Sequence, residues 1–388
     1  MTEVGAVIIG GDFQGLGILR SLGARGVPIH LLDFEFSVGR FSRYRKTLER
    51  CPGADQETSF VEFLIDLAER KDVGGWVVYP TNDETVCLLA KHKDELGKRY
   101  RIPTPSWDIV KFAHEKRLTY ELAERAGIAV PRTVYPESVE ALDRLGLEFP
   151  VIIKPSVKEP FYREIKKKAI RANNREELTE GLQRALSVVD ISQIMVQELI
   201  QGGPRHLFSV GSLFKEGDFL GKVVARRIRQ HPMDFGHATT FAETVDLPEL
   251  EEIARKILGL IGYYGLSEVE FMLDPSDGEY KLIEINPRTW GWHTLAIGAG
   301  VDLPYMLYRD MLGDSVRQNG FDKDTRWIRL TTDIPTAAGE MLKGNLKFRE
   351  YLGSFRGRKQ FAVLSLRDPL PFVMELLMIP YLWKKRGF

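Results

Sequence analysis

The chain has 388 residues with 54 acidic and 54 basic side chains, so its formal net charge is zero. That length supports two or three domains with substantial cores, and the charge balance excludes a global electrostatic footprint for nucleic acid. The two cysteines, Cys51 and Cys87, lack metal or redox spacing and suit a reducing interior. The N-terminus lacks the pattern of a signal peptide, and no apolar run approaches the roughly 18 residues of a spanning helix. A cytoplasmic location is expected.

Val4 to Ile9 is an apolar run followed by Gly10, Gly11, Gly15 and Gly17, a helical stretch to Ala24 and a second strand, Pro28 to Asp33. This is a βαβ opening with a glycine turn at a helix N-terminus, where free amides attract anions. Asp33 resembles the ribose-binding acid of dinucleotide enzymes, but the glycine spacing is not G-x-G-x-x-G, so a substrate site or a structural turn is favoured. A helix over Phe60–Arg70 and a strand over Gly75–Tyr79 lead to Pro80–Glu84, at the strand end where open α/β sheets bind ligands. Asp83 and Glu84 either hold a substrate amine or cap the next helix. Pro103-Thr104-Pro105 reads as a linker.

Asp108–Gly127 reads as one or two helices carrying Lys116. Phe149–Pro155 is an apolar strand ending in Lys154, and a buried strand needs no charge there, so Lys154 is expected to face a cavity. Lys158, Lys166, Lys167, Lys168 and Arg171 either contact phosphate or form a solvated basic face. A helix over Arg175–Val188 precedes a strand, Ile194–Ile200. His206–Leu213 and Phe219–Arg227 suggest a meandering antiparallel sheet, with Lys222 and Arg226 on one face of their strand. Pro248–Gly262 is an amphipathic helix.

The densest chemistry lies in two further strands, Ser267–Leu273 and Lys281–Asn286, joined by a turn over Asp274–Gly278. Alternation places Leu282, Glu284 and Asn286 on one face and Ile283 and Ile285 on the other. Pro287 has no amide donor and closes the run, leaving Arg288 just beyond the strand end. An antiparallel hairpin would place Glu270 beside Glu284 and Asn286, hard oxygen ligands of the type Mg²⁺ prefers when it also holds phosphates. A solvated sheet face is the plainer alternative, but Arg288 would complete a phosphate clamp. Trp290 to His293 leads into a helix, with His293 read as a helix-start residue rather than a ligand. In the tail, Phe372–Trp383 is an apolar segment broken by Glu375 and Pro380 and followed by Lys384, Lys385 and Arg386. It either rests on an anionic membrane surface or docks onto the body or a partner subunit.

Together these features resemble the ATP-grasp superfamily, chiefly its carboxylate–amine ligases. The resemblance implies a mixed α/β (α+β) fold: an N-terminal Rossmann-like domain over 1–112, a small lobe with linker helices over 113–201, a central lobe with the metal site over 202–315, and a C-terminal segment over 316–388. It implies that Glu270, Glu284 and Asn286 hold two Mg²⁺ ions, with Mn²⁺ an alternative. Lys116 and Lys154 would reach the ATP phosphates, and Gln197, Glu198, Leu199 and Ile200 would form the hinge whose backbone reads adenine. Arg288, with Lys222 or Arg226, would steady an acyl phosphate. The implied activity is ATP-dependent joining of a carboxylate to an amine with release of ADP and phosphate. A phosphotransferase, a carbamoyl-phosphate-type synthesis, a non-catalytic nucleotide-binding protein and a nicotinamide dehydrogenase are the alternatives. Small-molecule substrates, no nucleic acid, a homodimer and peripheral contact with the inner membrane surface complete the expectation. Three departures stand out: Ser156–Lys168 has no glycine, no acid follows the hinge at Gly203–His206 to hold ribose, and the loops Arg226–Gly236 and Trp290–His293 match no familiar substrate.

Overall fold

The computed structural model describes residues 3–388 except 139–145, 147, 158–160, 162–163, 166–168, 234–235, 237, 319 and 387–388, and the backbone alone at 383–386. Lys158, Lys166, Lys167 and Lys168 thus lie outside the described residues.

The N-terminal βαβ pattern folds as a parallel sheet of β1 (Ala6–Ile9), β2 (Ile29–Leu32), β3 (Thr47–Glu49) and β4 (Val77–Pro80), in the order β3-β2-β1-β4. Every residue of β1, β2 and β4 is buried, as a sheet covered on both faces requires. Helix Phe13–Gly23 packs on one face and helix Glu57–Arg70 on the other. Two glycines of the turn have steric reasons. Gly10 has φ +97°, and a Cβ there would meet the Thr81 hydroxyl at 2.2 Å. A Cβ on Gly17 would sit 2.5 Å from His293 Nε2, so this glycine lets the helix close on the loop after Arg288.

Helices Trp107–His114 and Lys116–Arg125 break at Glu115, whose backbone is extended, and Lys116 opens the second. A small antiparallel sheet follows: β5 (Thr133–Val134), β6 (Val151–Pro155), β7 (Ile170–Ala172) and β8 (Ile194–Glu198), in the order β5-β8-β6-β7. Val151 and Ile153 pack on helix Arg175–Leu186 in a core of the sheet's own, and alternation sends Ile152 and Lys154 to the opposite face.

The expected antiparallel sheet is present and larger than predicted. It comprises β9 (Leu207–Lys215), β10 (Asp218–His231), β11 (Ala238–Thr244), β12 (Gly265–Leu273), β13 (Tyr280–Asn286), β14 (Thr325–Ile328) and β15 (Arg358–Phe361), in the order β13-β12-β9-β10-β11-β14-β15. Strands β14 and β15, from the C-terminal segment over 316–388, extend this sheet and cover an edge of β11 that would otherwise be unpaired. One face packs on helix Pro248–Leu260. The other shares a continuous core with β1 and helix Phe13–Gly23, through Leu213, Val223, Ala242, Leu266 and Trp327.

The tail docks on the body through two ion pairs. Asp368 accepts from Arg20 Nε (3.0 Å), Ser42 Oγ (2.8 Å) and the Arg43 amide (3.0 Å), while Glu375 accepts from Arg329 Nη2 (2.9 Å).

His293 is a core residue. Its Nδ1–H donates to Trp290 O at 3.0 Å, and burial pushes its pKa down to about 4, against that hydrogen bond. The unfolded chain therefore takes up this proton first, so the contribution is complete above the ordinary value of 6.5 and is lost as pH falls from there toward 4. A shift of that size corresponds to about 3 kcal/mol at most. Thermal unfolding measured across this window should show His293→Gln losing less stability on acidification than the wild type.

Candidate active site between the two sheets

Strands β12 and β13 pair so that Glu270 stands directly opposite Glu284 and Glu268 opposite Asn286. The register shifts after Glu270, so that Phe271 opposes Leu282 and Ile283 is an extra residue, a β-bulge. The bulge corrects the alternation expected from sequence. Leu282 joins Ile285 in the core under helix Pro248–Leu260, and Ile283 turns toward the cleft. Glu284 and Asn286 keep their expected common face.

Each acid is met by a cation. Lys116 Nζ lies 3.1 Å from Glu284 Oε2, and Arg227 Nη2 lies 3.2 Å from Glu270 Oε2. Burial disfavours the charge on Lys116, but Glu284, then Tyr120 and Asp83, outweigh it and hold its pKa above the ordinary lysine value. Asn286 Nδ2 donates to Glu268 Oε2 and Glu270 Oε1, both at 3.0 Å, and its Oδ1 accepts from Arg288 Nη2 at 3.1 Å.

Glu268 was not singled out in the sequence, although it precedes Glu270 by two residues and shares its face. It is buried, and desolvation, followed by the charge of Glu270, drives its carboxyl well above the usual carboxylate range. Its Oε1 has no hydrogen-bond partner among the described residues, so a buried oxygen is left unsatisfied. That orphan and the two neighbouring carboxylates fit a divalent cation by donor chemistry. Among the described residues no three His, Cys, Asp or Glu side chains already converge on one point, and Lys116 and Arg227 each pair with one of the acids.

Arg288 spans the N-terminal domain and the central sheet. Its Nε and Nη2 donate to the two carboxylate oxygens of Asp83 at 2.6 and 2.9 Å. Asp83 is therefore the bidentate partner of Arg288 and not the helix cap. Asn82 caps the helix, its Oδ1 accepting from the Thr85 amide at 2.8 Å.

Lys154 reaches the site from the small sheet, nearly buried, donating to Tyr120 OH at 2.9 Å. That hydroxyl donates in turn to Ile283 O at 2.8 Å, so the lysine is anchored to the bulge. A cleft of about 290 Å³ runs from Lys116, Lys154, Glu270 and Glu284 to the hinge Gln197, Glu198, Leu199 and Ile200. The amides of Glu198 and Leu199 are committed to Arg132 O and Pro150 O, both at 3.0 Å. Gln197 Nε2 donates to Thr133 Oγ1 at 2.7 Å. The hinge thus lines the cleft, but its donors at 198 and 199 are structural.

Lys222 and Arg226 do share a face of β10, but it is the wrong one. Lys222 pairs with Glu251 on helix Pro248–Leu260, and Arg226 pairs with Glu243 at 2.5 Å. Val224, between them, is in the core beneath that helix, whereas Val223, Ala225 and Arg227 point to the opposite side. Arg227 and Gln230 are the β10 residues that line the cleft.

A second cavity, of about 320 Å³, lies over the C-terminal ends of β1, β2 and β4. Gly10, Gly11, Asp33 and Asp83 line it, and Met378, Tyr381 and Leu382 of the tail form one wall. Asp33 accepts from the Ser37 hydroxyl and, at 3.5 Å, from the Gly11 amide, and burial raises its pKa. Here Asp33 secures the glycine turn.

Known folds share this arrangement of sheets. A solved L-amino acid ligase from Bacillus licheniformis superposes with TM-score 0.62 at 15% identity, covering 79% of this chain and 74% of that one. An N5-carboxyaminoimidazole synthetase from Staphylococcus aureus superposes with TM-score 0.65 at 17% identity, covering 88% and 86%. Residues 230–318 match the family described as carbamoyl-phosphate synthase L chain, ATP binding domain. The chain has an ATP-grasp fold and is similar to carboxylate–amine ligase-like proteins of that fold. The matched stretch contains the entire β12–β13 hairpin and Arg288 of this ATP-grasp fold. In sequence, the chain is 26% identical over 266 residues to a D-aspartate ligase of Enterococcus faecium, a match spanning 64% of this chain and 62% of that protein.

The two arginines of β10 separate a cleft role from a structural one. Arg227→Gln should weaken Mg-ATP binding by roughly 10- to 100-fold, the worth of a charge-assisted hydrogen bond, while Arg226→Gln should change it less than about twofold. Isothermal titration calorimetry of the two variants measures both.

Proposed function

We propose that the protein is an ATP-dependent ligase that joins a carboxylate to an amine through an acyl phosphate, releasing ADP and phosphate. The observation that carries this reading is the meeting of Glu270 and Glu284 from one hairpin with Lys154 from another sheet around one cleft, with Asn286 bonded to Glu270 and to Arg288 just beyond the strand.

ATP would lie along the cleft with adenine at the hinge, read by backbone beyond Leu199, and its phosphates between Lys116 and Lys154. Glu270, Glu284 and Asn286 would hold two Mg²⁺ ions, with Glu268 behind them, and the ions would neutralise charge as the γ-phosphoryl group moves to the carboxylate. Lys116 and Arg227 then exchange their carboxylates for phosphate oxygens. Arg288, already oriented by Asp83, stabilises the acyl phosphate and the tetrahedral adduct made by the amine. The small sheet has its own core, which suits closure over the nucleotide and exclusion of water. No side chain acts as a covalent nucleophile; the chemistry rests on positioning and charge.

The second cavity supplies room for a substrate beside the phosphates, since Asp83 lines it and also holds Arg288. Its acidic lining, with Asp12, Asp33 and Glu84, suits an ammonium group. A second reading replaces the organic carboxylate by bicarbonate, and the match to the carbamoyl-phosphate synthase domain favours it.

An ADP-release screen of carboxylates against amines, with products read by mass, tests the proposal. With the right carboxylate, ATP and hydroxylamine, a hydroxamate should accumulate; ADP release that requires bicarbonate and yields no hydroxamate supports the second reading. Glu284→Gln should reduce ADP release by about 100-fold or more while keeping the wild-type melting profile. Full activity in that variant would remove the metal assignment.

A further inference from the structure

The tail forms two short helices, Leu370–Leu377 and Ile379–Arg386. Pro371, Glu375, Met378 and Leu382 turn inward, at spacings of three and four residues. On the opposite side Leu370, Val373 and Leu377 face outward, where a helix lying on a protein surface is normally polar. Leu377 is 68% exposed and Leu366, just before the helix, 95% exposed. The segment is therefore apolar on both sides, and only one side is covered.

The charges are sorted as well. Both acids between Leu366 and Arg386, Asp368 and Glu375, are 1% exposed and are neutralised from within by Arg20 and Arg329. What the segment carries besides is cationic: Arg367, then Lys384, Lys385 and Arg386 in succession. Arg43, also exposed, lies alongside, with Nη1 3.5 Å from Arg367 O. Tyr381 and Trp383 stand between the leucines and the basic run, and such aromatic residues favour the boundary between hydrocarbon and headgroups.

We propose that Leu366–Arg386 is a docking surface for an anionic lipid bilayer, its outer apolar side entering the headgroup boundary and its basic end meeting acidic headgroups. A second copy of the chain fits less well. A twofold contact would oppose this face to itself, and the segment's own acids are turned inward and cannot meet the partner's cations. The outward residues Leu370, Val373 and Leu377 line neither cavity, so the test stands or falls apart from the ligase reading.

The test is flotation of the full chain with phosphatidylglycerol–phosphatidylcholine vesicles and with phosphatidylcholine vesicles. The protein should float with the acidic vesicles alone, and less so as salt is raised. Removing the basic run (Lys384→Ala, Lys385→Ala and Arg386→Ala together) should weaken binding on the order of a hundredfold, about fivefold per cation. Leu370→Ser, Val373→Ser and Leu377→Ser together should weaken it at least about tenfold. These outward positions are not part of the core, so circular dichroism melts of the variants should match the wild type. Three outcomes would overturn the proposal: no flotation with acidic vesicles, flotation unchanged in both variants, or a dimer in sedimentation that the serine variant dissolves without any vesicle binding.

Discussion

Two carboxylates placed opposite each other on neighbouring strands cannot both stay charged unless cations compensate them. Glu270 and Glu284 impose that constraint, and the surrounding structure answers it. Lys116 comes from a helix that must break at Glu115 to present it, and Arg227 comes from the strand two places along the sheet. Glu268, buried behind them without a cation of its own, is the group whose charge the site disfavours. The arrangement leaves one buried carboxylate oxygen unsatisfied, and a cation bound there would satisfy it.

The same site ties three parts of the chain together. Arg288 follows the hairpin, and its guanidinium is clamped by Asp83 from the helix after β4, so the N-terminal α/β unit sets the orientation of a residue just beyond the central hairpin. Lys154 approaches from the small sheet and is tied through Tyr120 to the backbone of the bulge. The N-terminal and central sheets share one hydrophobic core while the small sheet has another. A cleft between a fixed floor and a separately packed lobe can close on a nucleotide without disturbing the acids beneath it. The acid-bearing side of the site is thus built on the larger shared core, where small displacements are costly.

The local pattern of the chain determined much of this. Alternation along Lys281–Asn286 and the stop at Pro287 put Glu284 and Asn286 on one face with Arg288 beyond the end. A lysine closing an otherwise apolar strand announced a cavity, and Asp108–Gly127 was legible as one helix or two, though not the break at Glu115. Only the tertiary structure decided which face of a strand looks into the cleft. Period-two alternation relates neighbours within a strand but does not say which side the covering helix takes, and so Lys222 and Arg226 were grouped correctly and placed wrongly while Arg227 was passed over. The bulge at Ile283, the pairing of Asn286 with Glu268, and the clamp between Asp83 and Arg288, 205 residues apart, were equally out of reach. Each depends on how distant strands and helices register against one another, and that is set by packing of the whole core rather than by any short stretch of sequence.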